Sequence, residues 1–129
     1  MVHVSMSLCA LSQSTDYGVT WSNFPAPPPT TVRSVTADPA SGSSVVWVVG
    51  ANCISRWDGH SWGACMAPGS KQDYRELTIS PADSTKMFLV VNAGTAMRTA
   101  DGGATWVPVS DPNVNAATSQ SYQVCAAYS

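Results

Sequence analysis

Two arginines occupy matching positions in two similar segments of this 129-residue chain. Arg33 begins the segment Arg-Ser-Val-Thr-Ala-Asp-Pro-Ala, and Arg75 begins Arg-Glu-Leu-Thr-Ile-Ser-Pro-Ala, 42 residues later. A third segment, at residues 121–128, has Gln123 in the same place. Guanidinium and amide groups donate the hydrogen bonds that a carbohydrate or a peptide carboxylate needs. These residue types therefore suit a binding surface.

The sequence contains no recognisable catalytic pattern. Asp73 and Glu76 flank the start of the second segment, but no matched second carboxylate of the kind that a glycosidase needs is evident. His3 and His60 lack the spacing of metal ligands. Neither a nucleophile elbow nor a glycine-rich phosphate loop occurs. The sequence thus predicts no catalytic residue, no metal and no cofactor.

The composition excludes several classes of function. Charged residues make up only 11% of the chain, and its net charge is −2 with six lysines and arginines. This balance argues against an electrostatic binder of nucleic acid or of anionic membranes. No run approaches the roughly 18 apolar residues of a membrane-spanning helix. A hydrophobic content of 44% predicts a folded chain, and the length predicts one domain.

Short β-branched and aromatic runs recur along the chain, whereas no stretch keeps the 3.6-residue apolar period of a helix. The runs lie at residues 32–37, 45–49, 75–79 and 87–91, and clusters of turn-forming residues separate them. This pattern is typical of an all-β sandwich, barrel or propeller.

A repeat of about 42 residues distinguishes between these folds. Each matching segment is followed by a polar turn, then by an apolar strand, residues 44–50 and 86–92 at the same offset, and then by a polar hairpin. Trp21, Trp62 and Trp106 end three such hairpins, at spacings of 41 and 44 residues. A period in the low forties with four strands is typical of propeller blades. The predicted fold class is an all-β propeller whose blades have four antiparallel strands.

Two of the hairpins have the pattern Ser/Thr-x-Asp-x-Gly-x-Thr-Trp, which resembles the Asp-box, or BNR, repeat of sialidase-like, sortilin-like and xyloglucanase-like propellers. The middle hairpin is degenerate, because Arg56 stands where Ser or Thr is expected and the loop is one residue short. The resemblance implies a structural role: the polar residues hold the turn and the tryptophan packs between blades. The residues concerned are Ser14, Asp16, Gly18 and Trp21, then Asp58 and Trp62, and finally Thr99, Asp101, Gly103 and Trp106.

The predicted strands make three blades. Residues 1–24 supply the last three strands of the first blade, and residues 121–128 align with a first strand that would complete it. Residues 32–65 and 74–109 each form a full blade. Closed propellers need roughly four to eight blades. We therefore expect the chain to form a homo-oligomer, such as a six-bladed pair, or to join the remainder of a longer propeller.

The four cysteines include no Cys-x-x-Cys pair, which favours disulfides and an oxidising compartment over zinc. Cys53 and Cys65 flank the middle hairpin symmetrically about Gly59, so they can face each other across two antiparallel strands. Cys9 and Cys125 both belong to the split first blade and form the remaining predicted pair. Four buried free thiols in a reducing cell are the alternative.

The resemblance also implies where a ligand binds. In such propellers the starts of the first strands share one face, away from which the Asp-box turns lie. That face would collect guanidinium, amide and aromatic groups suited to a glycan or a peptide carboxylate, although an ordinary solvated rim would have the same composition. The predicted ligand-binding residues are Arg33, Asp73, Tyr74, Arg75, Tyr122 and Gln123.

We therefore expect an extracellular or cell-surface propeller module that binds a carbohydrate or protein ligand without catalysis. One alternative is a fragment of a sialidase- or xyloglucanase-like glycoside hydrolase. A sialidase would bring three substrate-binding arginines, and Gln123 occupies the third position here. Another alternative is a small oligomeric sugar-binding lectin, which the Trp-Asp-Gly-x-x-Trp stretch at residues 57–62 resembles.

Overall fold

A computed structural model describes residues 3–7, 10–29, 31–42, 44–70, 72–91 and 95–109. These residues form three antiparallel sheets in chain order, with one 3-10 turn at Pro39–Ser41. Sheet 1 contains β1 (His3–Ser7), β2 (Ala10–Ser14) and β3 (Ser22–Asn23). Sheet 2 contains β4 (Val32–Ala37), β5 (Val46–Gly50) and β6 (Ile54–Trp57). Sheet 3 contains β7 (Tyr74–Ile79), β8 (Met87–Val91), β9 (Thr95–Thr99) and β10 (Val107–Pro108).

The all-β prediction is confirmed. Each sheet is a meander in which consecutive strands pair, because short polar turns bring neighbouring apolar runs together. No helix in the described ranges is long and apolar enough to cross a membrane. The predicted strand at residues 121–128, and with it the Cys9–Cys125 pair, lies outside the described residues.

Strand β5 is buried along its whole length. Successive side chains of a strand point to opposite faces, and its uninterrupted apolar run therefore offers two apolar faces. Val46 and Val48 pack with Leu11 of β2 and with Phe24, which directly follows β3. The neighbouring residues of β5 pack instead against sheet 3. Sheet 2 is consequently the middle layer of three sheets stacked face to face.

The interface between sheets 2 and 3 holds the larger core. Trp47 of β5 packs there with Leu77 and Leu89, and Trp106 packs against the same cluster from the hairpin that precedes β10. The hydroxyl of Thr36 on β4 donates a hydrogen bond of 2.8 Å to the Leu77 carbonyl oxygen on β7. Apolar burial and a side-chain bond across the gap both hold the two sheets together.

The 42-residue offset between the repeats does not persist into their second strands. Ala37 pairs with Val46 in sheet 2, whereas Ile79 pairs with Met87 in sheet 3. The first pair is thus joined by a turn one residue longer than the second. Trp47 therefore corresponds to Phe88, one residue before the position that a constant offset predicts. In a strand, a slip of one residue moves a side chain to the opposite face.

Sheet 2 has three strands where the sequence predicts a blade of four. After β6 the chain returns only through isolated bridges, Trp57 to Trp62 and Ile54 to Met66. The hairpin here lacks the hydroxyl residue and the full loop length of the other two. A disulfide between Cys53 and Cys65, with Cα atoms 5.4 Å apart, cross-links the two sides instead, as the sequence predicts.

Trp106 and Trp21 end hairpins of the same type but differ in burial. Trp106 packs on the core, whereas Trp21 is 47% exposed. We expect Trp106→Ala to lower the free energy of unfolding by about 3 kcal/mol, the lower end of the range for truncating a buried aromatic side chain. Trp21→Ala should stay within about 0.5 kcal/mol, as surface changes do.

Denaturant unfolding, measured over a series of protein concentrations and extrapolated to infinite dilution to remove any contribution from self-association, gives both changes. Equal losses for the two variants would show that Trp106 is not a core residue.

Candidate functional site

Arg33 and Arg75 occupy β-bulges at the starts of β4 and β7. The pairing of β4 with β5 skips Arg33, between Val32 and Ser34, and the pairing of β7 with β8 skips Arg75 in the same way. A bulge leaves one residue out of the ladder and redirects its side chain. The two arginines therefore leave the regular face of their sheets at equivalent places in consecutive repeats.

Asp73 lies between the two guanidinium groups. Its Oδ1 is 3.4 Å from Nε of Arg33, and its Oδ2 is 3.2 Å from Nη2 of Arg75. The arginine side chains are 40% and 37% exposed, and that of Asp73 is 24% exposed. Exposed pairs of this kind contribute at most about 1 kcal/mol to folding. The three side chains of the cluster are two cations and one anion.

The backbone holds Asp73 in this position. Residue 73 forms an antiparallel bridge with Ala51, which follows β5. The Asn52 N–H donates to the Gln72 carbonyl oxygen at 3.0 Å, and the Ala51 N–H donates to that of Thr31 at 2.9 Å. The bridge and the Asn52–Gln72 bond join the ends of sheets 2 and 3, and the Ala51–Thr31 bond extends the pairing of β4 with β5, so the arginine–aspartate cluster is assembled between two repeats.

Tyr74 lies inside the core and not on this surface. Its side chain is fully buried, and its hydroxyl lies 2.8 Å from the Pro68 carbonyl oxygen and 2.7 Å from that of Ser70. Burial raises the pKa of the Tyr74 hydroxyl. Tyr74 thus supports the loop before β7 and presents no ring to a surface ligand. Two other predicted ligand-binding residues, Tyr122 and Gln123, lie outside the described residues.

The hairpin after β2 is held by the side chains of Ser14 and Asp16. Ser14 Oγ accepts a hydrogen bond of 2.8 Å from the Gly18 N–H and donates one of 2.8 Å to Asp16 Oδ1. Asp16 Oδ1 accepts a further bond of 2.8 Å from the Thr20 N–H, and Oδ2 accepts from the Thr20 hydroxyl. The Trp21 indole N–H closes the turn on the Gly18 carbonyl oxygen at 3.0 Å.

The hairpin after β9 repeats this network bond for bond. Thr99 Oγ1 donates to Asp101 Oδ1 at 2.7 Å and accepts from the Gly103 N–H at 3.1 Å. Asp101 accepts from both the N–H and the hydroxyl of Thr105. The Trp106 indole N–H donates to the Gly103 carbonyl oxygen at 3.1 Å. Both carboxylates are used within their own turns, which is a structural use.

These hydrogen bonds also set the charge of the two carboxylates. The Thr20 hydroxyl, its N–H and the Ser14 hydroxyl hold the pKa of Asp16 at about 2. The corresponding bonds from Thr105 and Thr99 hold the pKa of Asp101 at about 2. Hydrogen bonds to the ionised form favour it. Both turns therefore keep their negative charge throughout the neutral and mildly acidic range.

The middle hairpin uses different contacts. Asp58 Oδ1 accepts from the N–H groups of His60 and Ser61, both at 2.8 Å, and these bonds lower the pKa of Asp58. The Trp62 indole N–H donates instead to the Pro25 carbonyl oxygen at 2.8 Å, across the gap to sheet 1.

Aromatic rings complete this middle contact. Phe24 lies edge-on to Trp57 with centroids 5.1 Å apart, and Trp57 lies edge-on to Trp62 at 5.2 Å. Edge-to-face packing is favourable beyond the buried area. Phe24 precedes the proline-rich stretch after β3, and sequence reasoning did not identify its role.

A cleft of about 260 Å³ lies at the hairpin end of sheet 3, lined by Arg98, Thr99, Ala100, Asp101, Thr105 and Val107. It was not predicted from the sequence. Asp101 and Thr105 bond to each other there, so the cleft is a by-product of the turn. Within the described ranges, no group of three or more histidine, cysteine, aspartate or glutamate side chains could hold a metal ion.

Comparison with known proteins identifies the fold. No protein-family model matches the sequence, and no curated protein sequence matches it. A structure of YCF48 bound to D1 peptide is similar with a TM-score of 0.71 and 19% identity, over 96% of this chain and 40% of that one. The GH74 enzyme of Niastella koreensis is similar with a TM-score of 0.60 and 14% identity, over 81% of this chain and 18% of that one.

Both of these proteins are β-propellers. The three sheets are consecutive β-propeller blades. The chain spans 40% and 18% of the lengths of the two propellers that it resembles. At these identities the likeness establishes the fold alone. The propeller prediction made from the 42-residue repeat is confirmed.

The acidity of the two hairpin aspartates predicts a pH dependence of stability. Their folded-state pKa of about 2 lies below the ordinary value of 3.8. Their contribution is therefore complete above about pH 4 and is lost as the pH falls through about 2. Thr105→Val removes the largest cause for Asp101 and should raise the pKa of that carboxyl while Asp16 stays near 2.

Carboxyl carbon NMR titration of the Thr105→Val variant measures both groups in one sample, with Asp16 as the internal control. An unchanged pKa of Asp101 would contradict this account of the turn.

Proposed function

We propose that this chain is a non-catalytic propeller binding module whose ligand site is the arginine–aspartate cluster of Arg33, Asp73 and Arg75. One observation carries the proposal: two guanidinium groups, redirected by bulges in consecutive blades, converge on a single carboxylate. Guanidinium groups are well suited to carboxylates, and bulges are frequent beside functional sites. The cluster holds an internal carboxylate that a ligand carboxylate can displace.

The ligand that fits best is an acidic or free-carboxylate segment of a protein. Among the described residues, this face offers partly exposed guanidinium groups, while the aromatic ring of Tyr74 is buried and cannot stack on a sugar. The structurally similar YCF48 is bound to a D1 peptide, which supports a protein ligand for this chain as well. A carbohydrate ligand would have to carry an acidic group to use the same two arginines.

The contacts of Asp73 favour a binding role over hydrolysis. Glycoside hydrolysis needs one carboxyl group as an acid and a second as a nucleophile or base. Both carboxylate oxygens of Asp73 are engaged by the side chains of Arg33 and Arg75, so its contacts join the two guanidinium groups.

We further propose that the two matching hairpins are Asp-boxes and that the module is extracellular or on the cell surface. The bond-for-bond agreement of their hydrogen bonds supports a common repeat element. The Cys53–Cys65 disulfide supports an oxidising compartment, because such bonds persist in secreted proteins and are rare in the cytosol.

Binding to acidic peptides tests the ligand site. An array of acidic peptides, each with a free and with an amidated C-terminus, identifies a ligand, and fluorescence anisotropy then measures its affinity. Arg33→Ala and Arg75→Ala should each weaken binding about tenfold or more, because each removes a charge-assisted hydrogen bond. Asp73→Asn should strengthen binding, because it removes the competing carboxylate. Salt should weaken binding by the wild-type chain.

Lys86→Ala is the matched control, since it removes one positive charge from an exposed side chain outside the cluster. If Lys86→Ala weakens binding as much as the cluster variants do, or if Asp73→Asn has no effect, the arginine–aspartate cluster is not the ligand site.

The compartment is tested separately. Peptide mapping without reduction, on protein from its native source, should recover Cys53 linked to Cys65. Recovery of both as free thiols would overturn the extracellular assignment and leave the ligand site untouched.

A further inference from the structure

The face of sheet 3 opposite to the one packed on sheet 2 repeats the residue pattern of the face that sheet 2 packs against sheet 3. Residues directly paired across strands share a face. One row of directly paired residues crosses β4, β5 and β6, and a second row crosses β7, β8 and β9. Each row consists of a threonine, a large aromatic residue and an arginine: Thr36, Trp47 and Arg56 in sheet 2, and Thr78, Phe88 and Arg98 in sheet 3.

In sheet 2 this row receives the hairpin of the next blade. A Cβ placed on Gly103 would lie 3.0 Å from Cη2 of Trp47 and 3.7 Å from Cζ2 of Trp106. Gly103 also has a φ of 93°, a conformation that favours glycine. The Gly103–Trp106 turn thus sits closely on the Trp47 ring, and only a residue without a side chain allows this approach.

The matching hairpin of sheet 1, at Gly18–Trp21, does not pack on an aromatic ring of another sheet in this way. Around a Cβ placed on Gly18, the one described atom within 4 Å is Cζ2 of Trp21, at 3.6 Å. Trp21 is 47% exposed, and the neighbouring Tyr17 and Val19 are 77% and 80% exposed. We call Tyr17, Val19 and Trp21 the Trp21 patch. Contiguous exposed apolar side chains of this kind mark interaction surfaces.

We propose that a second copy of this chain covers the Trp21 patch with the Phe88 row of its own sheet 3. The Gly18–Trp21 turn of one copy would sit on Phe88 of the other as the Gly103–Trp106 turn sits on Trp47 within the chain. The inference extends an interface that the structure already contains between sheets 2 and 3, and it does not depend on the proposed ligand site.

Two such contacts related by a two-fold axis use both outward faces of each copy and close a ring of six sheets. Six lies within the roughly four to eight blades of closed propellers.

Mass in solution tests the pairing. Light scattering and sedimentation of the 129-residue chain should give twice its 13.5 kDa mass, with dissociation on dilution. Trp21→Ser should weaken the dimer about tenfold or more, because a tryptophan seated in a partner's pocket is a common hot spot. His60→Ser, exposed in the corresponding hairpin of sheet 2, is the matched control and should leave the dimer unchanged.

Photo-cross-linking identifies the surface that position 21 contacts. With p-benzoylphenylalanine in place of Trp21, an equal mixture of ¹⁴N- and ¹⁵N-labelled chains should give cross-links to the tryptic peptide 87–98, which contains Phe88. Half of these cross-links should join the two isotopes. A monomer at every concentration, a dimer that Trp21→Ser does not weaken, or cross-links confined to one copy would each overturn the proposal.

Discussion

Strand β5 is buried on both of its faces, and the positions of the other two sheets depend on this. Because β5 is apolar at every position, it has no side suited to water, so sheet 2 is stable only between two neighbours. Sheet 1 covers Val46 and Val48, and sheet 3 covers Trp47. In a stack of blades, each added sheet has a second face that a further sheet must cover.

The hairpins hold the tryptophans in fixed positions relative to the sheets. In both matching turns, a carboxylate bonded to the following threonine closes the loop, and the indole N–H bonds back to a glycine carbonyl oxygen. The turn is therefore closed by hydrogen bonds of its own residues. Trp106 and Trp21 make the same bond, and their burial differs because the Gly103–Trp106 turn lies against Trp47 and Met87, whereas Trp21 is 47% exposed.

The proposed ligand site and the proposed contact between copies lie on different parts of the blades. The arginine–aspartate cluster lies at the starts of β4 and β7, where bulges release two side chains and backbone bridges position Asp73. The Trp21 patch belongs to the hairpin after β2 and is exposed. The proposed ligand site would depend on charge at the strand starts, and the proposed pairing of copies would depend on apolar area, so a substitution in one need not affect the other.

The sequence alone determined the apolar strands, the hairpins, the equivalence of Arg33 and Arg75 and the Cys53–Cys65 bond, because alternation, turn residues and short spacings act within a few positions of the chain. It predicted a fourth strand in sheet 2, which the described residues do not form. Only the tertiary structure decided that Tyr74 is buried and that Phe88 replaces Leu89 as the counterpart of Trp47. It also placed Asp73 between two arginines 42 residues apart. The counterpart of Trp47 depends on one extra residue in the turn between β4 and β5. The burial of Tyr74 and the position of Asp73 depend on contacts between segments that are distant in the sequence.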